Sequence, residues 1–199
     1  THEGGPLLVL AGAGSGKTRV ITTRIAHLVA QGMHPSRILA LTFTNKAAKE
    51  MRERLDELLG PTAKGLTAST FHSFCAMILR REGSHIGLDR DHAIYDDGHT
   101  VALLKRAMKE VDVDPKQFSP RATLSAISAA KSELVGVEAY GLQTESYLDE
   151  IRHRVYERYE ELLAQSSAVD FDDLLVKTHT LFREHQDVAE RYQNRYVHF

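Results

Sequence analysis

Three times within the first 86 residues a short apolar run gives way to an amphipathic segment, and this alternation limits the chain to few architectures. Leu7 to Leu10 reads as a buried strand. After a Gly-rich turn, Val20, Ile21, Ile25, Leu28 and Val29 recur at helical spacing. Ile38 to Phe43 reads as a second strand, and Ala47, Ala48, Met51, Leu55 and Leu58 mark the helix after it. Leu66 to Thr70 reads as a third strand, leading into a helix with Phe71, Phe74, Cys75, Ile78 and Leu79 on its apolar side. The order β-α-β-α-β-α, with connections long enough for right-handed crossovers, predicts an α/β fold with a parallel sheet covered by helices.

From about residue 87 the pattern turns helical. Asp96 and Asp97 start a helix through Val111, with Val101, Leu104 and Met108 on one face. Ser119-Pro120 is an N-cap and first-turn pair for a helix to about Leu134. Tyr147 to Leu163 and Phe171 to Phe182 supply two more, with Gly136, Gly141 and Ser166-Ser167 as punctuation between them. Tyr196 to Phe199 is aromatic and β-branched, like the opening of a strand. The expected organisation is therefore a sheet domain over 1–86, a helical insertion over 87–186, and a chain returning to the sheet over 187–199, truncated there.

Of the 199 residues, 42% are hydrophobic and 26% charged, and the formal net charge is −2, which is ordinary globular composition. The longest apolar runs have only strand length, so the sequence predicts a soluble protein with no membrane association. The single cysteine, Cys75, has no internal disulfide partner, which favours a reducing, cytoplasmic setting. Residues 1–86 carry 11 basic and 6 acidic side chains, a net of +5, while residues 87–199 carry 14 and 21, a net of −7. A positive first part suits an anionic ligand, although a solvated charged surface explains such an imbalance equally well.

Between the first expected strand and its helix lies Ala11-Gly12-Ala13-Gly14-Ser15-Gly16-Lys17-Thr18. The glycines allow backbone angles and close approach that side chains would obstruct, so that several N–H groups converge on phosphate oxygens. The helix that follows adds its positive end. Lys17 is a point charge for the β- and γ-phosphates of a nucleotide such as ATP, and the Thr18 hydroxyl is placed to ligate Mg²⁺. Ala11 stands where the strict pattern has glycine, at the start of the turn. Arg19 either reaches the nucleotide or faces solvent.

In a parallel sheet the loops after all strands share one carboxyl edge. The second corner is Thr42-Phe43-Thr44-Asn45-Lys46, leading to a basic helix with Lys49, Arg52 and Arg54, and the third is Thr70-Phe71-His72-Ser73-Phe74. Phe43 and Phe71 are either core residues at strand ends or surfaces on which bases stack while hydroxyls and Lys hold the backbone. The dispersed histidines lack the spacing of a zinc site.

Three segments resemble the UvrD/Rep/PcrA group of superfamily 1 DNA helicases, in matching order and spacing: Ala11 to Thr18, Leu39 to Ala48 with Glu50-Met51, and Thr70 to Phe74. Asp170-Phe-Asp-Asp-Leu-Leu175 is similar to a further segment of that group. The resemblance spans essentially the whole chain. It implies a P-loop, RecA-like parallel sheet with an inserted all-helical subdomain, and an ATP-driven motor moving 3′ to 5′ on single-stranded DNA and opening duplex junctions. By resemblance, Phe43, Thr44, Asn45, Thr70, Phe71, His72 and Ser73 contact the single strand, and Lys17 and Thr18 serve ATP and Mg²⁺.

The resemblance further implies that the Asp-Glu segment holding Mg²⁺ follows Phe199, and that a glutamine segment and a second RecA-like domain with arginine fingers belong to a longer parent. On this reading the chain is an N-terminal part that binds nucleotide without efficient turnover. Repair or replication proteins are possible partners of the parent. Other readings are another P-loop enzyme such as a small-molecule kinase, or a non-catalytic nucleotide- and partner-binding module.

Overall fold

Polar side chains set where most helices begin. Thr44, Asp96, Ser119, Ser146 and Asp170 each accept a backbone N–H from the first turn of the helix they precede, which satisfies a donor the helix itself leaves open. The computed structural model describes residues 5–12 and 16–199. In chain order the elements are α1 (Lys17–Ala30), β1 (Leu39–Thr42), α2 (Asn45–Leu59), β2 (Thr67–Thr70), α3 (Phe71–Glu82), β3 (Ala93–Ile94) and α4 (Asp97–Glu110). There follow α5 (Pro120–Ser132), α6 (Val137–Gly141), α7 (Tyr147–Gln165), β4 (Ala168–Val169), α8 (Phe171–Glu184) and α9 (Gln186–Arg195).

The chain divides into two compact units, residues 1–70 with 192–199 and residues 71–191. The sequence reading drew these boundaries after residues 86 and 186; contacts instead group α3 with the helices, where Phe74, Cys75, Ile78 and Leu79 are buried.

In the first unit β1 and β2 pair in parallel, Leu39 opposite Thr67 through Thr42 opposite Thr70. Helices α1 and α2 supply Ile25, Met51 and Leu55 to a core with Ile38, Ala40 and Ala68. The returning end of the chain docks on the opposite edge of β1. There Ile38 and His198 form a parallel bridge, and Leu39 N–H donates to the His198 carbonyl at 2.9 Å. Tyr196 Oη and Thr67 Oγ1 are hydrogen-bonded at 3.1 Å.

The strand expected over Leu7 to Leu10 is not formed, and these side chains are exposed, Leu8 by 82%. β1 is paired with β2 along its length and bridged by His198 at its start, and this run joins neither. A second departure follows. Val20 and Ile21, expected on the buried face of α1, are exposed and border a groove of about 430 Å³ with Leu7, Val9, Ile38 and Phe199. Only Thr22 and Ile25 of α1 are buried.

In the second unit α4, α5 and α7 close on a core that includes Leu104, Met108, Ile127, Val155 and Tyr159. The helical block is not purely helical, because β3 and β4 pair in parallel over two residues, Ala93 with Ala168 and Ile94 with Val169. Strands this short carry no readable alternation. The helix α6 sits where the sequence suggested only punctuation, with Gly136 as its N-cap. No helix among the described residues is long and apolar enough to cross a membrane.

Candidate functional site

The first group of candidate residues opens α1. Gly16 caps this helix with φ +84°, in the left-handed region that a side chain disfavours. No side chain caps the helix among the described residues and its first turn holds no acidic residue, so its positive end is not countered from within. Lys17 is exposed and its Nζ donates to the carbonyls of Ala11 at 3.1 Å and Gly12 at 2.7 Å, folding the ammonium over the loop. Thr18 is half-buried beside it, its own carbonyl accepting from Thr22 Oγ1 at 3.1 Å. Ala13, Gly14 and Ser15 lie outside the described residues. An N-terminal helix turn with no carboxylate and a lysine over the loop fits an anionic nucleotide.

Helix α2 begins at the carboxyl end of β1. Phe43 is 84% exposed there, which disfavours the core alternative for this ring. Thr44 is the N-cap of α2, its Oγ1 accepting Ala47 N–H at 3.1 Å, and Asn45 is the exposed first helical residue. The positive charge expected on α2 is largely answered within the unit. Arg54 pairs with Glu50 at 2.7 Å, Lys49 with Glu53 at 3.7 Å, and Arg52 Nη1 donates to the Ala68 carbonyl at 3.0 Å. Thr42 and Thr70 are register partners, so the carboxyl ends of the two strands are level, and Thr70 is buried.

In the helical unit, Phe71 and His72 are half-buried and Ser73 exposed on the first turn of α3. Phe171, the first residue of α8, meets the His72 ring edge-on, with centroids 6.0 Å apart and planes at 80°. Phe171 is 46% exposed. The sequence placed it at the start of its helix; only packing of α3 against α8 brings it to His72.

Residue periodicity also missed the groups behind Phe171. Asp170 and Asp173 form a capping box at the start of α8, and buried Lys131 reaches both. The available signals were an aspartate pair spaced three apart before an apolar helix and the resemblance carried by residues Asp170 to Leu175.

The whole chain, residues 1–199, matches the model of the UvrD/REP helicase N-terminal domain. It is 46% identical to an ATP-dependent DNA helicase PcrA of Bacillus subtilis over 98% of its own length and 27% of that protein. It is 43% identical to proteins of the same name in Staphylococcus aureus and Staphylococcus epidermidis, again over 98% of this chain and 27% of theirs. The chain thus spans about a quarter of the length of these relatives. A match over every residue, with the helix start, the level strand ends and the inserted helices in that order, means that the chain belongs to the UvrD/REP helicase N-terminal domain family.

Proposed function

We propose that this chain is the nucleotide- and single-strand-binding part of an ATP-dependent DNA helicase that moves 3′ to 5′ on single-stranded DNA and opens duplex junctions. The sheet unit, residues 1–70 with 192–199, carries the nucleotide loop, and residues 71–191 form the helical unit inserted into it in the chain. The observation that carries the reading is an 84% exposed Phe43 directly after a strand end that is level with Thr70. An aromatic ring left in solvent at a ligand-binding edge is what base stacking without sequence readout requires. Asn45 offers an exposed amide beside it, whereas Thr44 acts first by fixing the helix start. In the helical unit, Phe71, His72 and Ser73, with Phe171 beside His72, are a separate set of proposed single-strand contacts.

At the nucleotide, Lys17 would hold the charge of the β- and γ-phosphates and Thr18 would ligate Mg²⁺. Binding detaches the Lys17 ammonium from the Ala11 and Gly12 carbonyls, to which it now donates, and turns it to phosphate oxygens. Mg²⁺ held there would supply charge neutralisation to the phosphates. Ala11, Gly12, Ala13, Gly14, Ser15 and Gly16 supply backbone to the triphosphate. The shared name of the relatives supports ATP as the fuel and DNA as the track.

The test is binding of a fluorescent oligothymidylate to this chain. Affinity is expected to fall steeply with added salt, as phosphate contacts require, and Phe43→Ala is expected to weaken it roughly tenfold. Salt-insensitive binding, or a Phe43→Ala variant that binds like the original, rejects the interface. In the full-length protein, ATP turnover indifferent to single-stranded DNA rejects the motor.

A further inference from the structure

Lys131 lies one residue from the end of α5, and its side chain is turned into the interior of the helical unit, where the residue is only 3% exposed. Its ammonium donates to Asp170 Oδ2 at 2.8 Å and Asp173 Oδ1 at 2.9 Å, and meets Glu160 Oε1 at 2.6 Å. The Tyr159 hydroxyl donates to Asp170 Oδ2 at 3.0 Å, and its ring lies 5.4 Å from Lys131 Nζ. Burial pulls the Lys131 pKa down, but Asp173, Glu160 and Asp170 outweigh it and carry it well above the ordinary value. The ammonium stays charged. Three elements, α5, α7 and α8, therefore converge on one cation.

The other oxygens of the two aspartates close the first turn of α8. Asp170 Oδ1 accepts Asp173 N–H at 2.8 Å, and Asp173 Oδ2 accepts Asp170 N–H at 3.2 Å. Such a box needs no lysine. Removing an ammonium and three carboxylates from water is costly, and an apolar replacement of such a network is often no less stable, so its return is sought in geometry rather than in stability. The geometry it fixes is that of the turn they close, where Phe171 directly follows Asp170 and its ring stands edge-on to His72.

We propose that Lys131 is a positioning residue for the single-strand contact. By tying both aspartates to α5 and α7 it fixes the rotation of α8's first turn, and with it the direction in which Phe171 presents its ring beside His72. This rests on the reading of the Phe71 to Ser73 turn as part of the DNA interface. The three carboxylates exceed the one ammonium, so the ground behind Phe171 is unfavourable to phosphate and leaves the ring for bases. The ring itself carries no charge, so its own stacking contribution to binding is insensitive to salt.

The test is a double-mutant cycle on this chain, read by oligothymidylate binding over a range of salt. Phe171→Ala and Lys131→Met are each expected to weaken binding several-fold to roughly tenfold without changing the slope against salt, and the double variant to bind no more weakly than Phe171→Ala alone. A loss in the double variant equal to the product of the single losses, or a folded Lys131→Met chain that binds like the original, overturns the positioning role. An unaffected Phe171→Ala variant overturns both that role and the part assigned to Phe171 in the interface. Circular dichroism reports whether each variant folds. If Lys131→Met does not, Asp173→Asn, which keeps a cap acceptor while loosening Lys131, replaces it in the same cycle with the same expected and overturning results.

Discussion

In the helical unit, side chains from α4, α5 and α7 close completely around Leu104, Val155 and Tyr159, whereas in the sheet unit Leu7 to Leu10, Val20, Ile21 and Phe199 stand open to solvent. The contrast follows from how the two kinds of element satisfy their backbones. A helix bonds to itself and needs partners only along one stripe, which its neighbours in sequence supply here. A parallel strand needs a bonded neighbour at its edges and cover on its faces, from segments distant in the chain. The first unit thus leaves Lys17, Phe43 and Asn45 exposed around a small core, and the second encloses Lys131 and its carboxylates inside a large one.

The most drastic way to sharpen this contrast is Lys17→Ala. Loss of charge-assisted bonds to phosphate, each worth about 1.5–3 kcal/mol, is expected to weaken Mg·ATP binding by ten- to a hundredfold or more. Thermal unfolding of the chain is expected to be unchanged, since Lys17 is exposed. A calorimetric titration showing undiminished affinity would remove the role assigned to this residue.

Leu104→Ala inverts that result. The side chain is fully buried, and its truncation is expected to cost about 2–5 kcal/mol, read as a lowered urea midpoint. Leu8→Ala, at an exposed position, is expected to stay within about 0.5 kcal/mol of the original chain. Equal losses at the two sites would erase the distinction drawn between the units.

Titration probes the polar interior of the helical unit. His92 is 0% exposed, with Nδ1 2.7 Å from the Asp89 carbonyl; burial lowers its pKa below the ordinary 6.5 despite that bond. The unfolded chain therefore takes up the proton first. The contribution of His92 to stability is complete above about pH 6.5 and is lost as pH falls through the folded value. Glu160 runs the other way, because burial and the neighbouring Asp173 raise its carboxyl above the ordinary value against the pull of Lys131. Its contribution is complete below the ordinary carboxylate range and is lost as pH rises through the folded value. Urea midpoints between about pH 7.5 and about pH 5.5 are expected to fall, and His92→Gln to flatten that decline. An unchanged decline in the variant would assign the effect elsewhere.

Much of the architecture was legible from spacing and caps. The helices α2, α4 and α7 and the caps at Asp96 and Ser119 appear where periodicity and capping set them, since these signals are local, although Leu58, expected on the stripe of α2, is exposed. The Gly16-Lys17-Thr18 helix start and the level ends of β1 and β2 were legible in the same way. Leu7 to Leu10 misled, because an apolar run states a preference for burial without stating whether an edge is free to receive it. The two-residue pair of β3 and β4 left no trace, as its pairing joins residues 75 apart at Ala93 and Ala168.

By itself, then, the sequence determined helices α1 to α5, α7 and α8, the strand segments Leu39–Thr42 and Thr67–Thr70, and which residue types stand at each corner, because propensity, capping and alternation act over a few residues. Only the tertiary structure decided that Phe43 lies in solvent, that His198 takes the second edge of β1, and that Lys131 reaches Asp170 from 39 positions away to stand behind the Phe171 and His72 pair. Those outcomes depend on which distant segments compete for the same surface, and a buried charge is tolerated only where the whole fold delivers its partners.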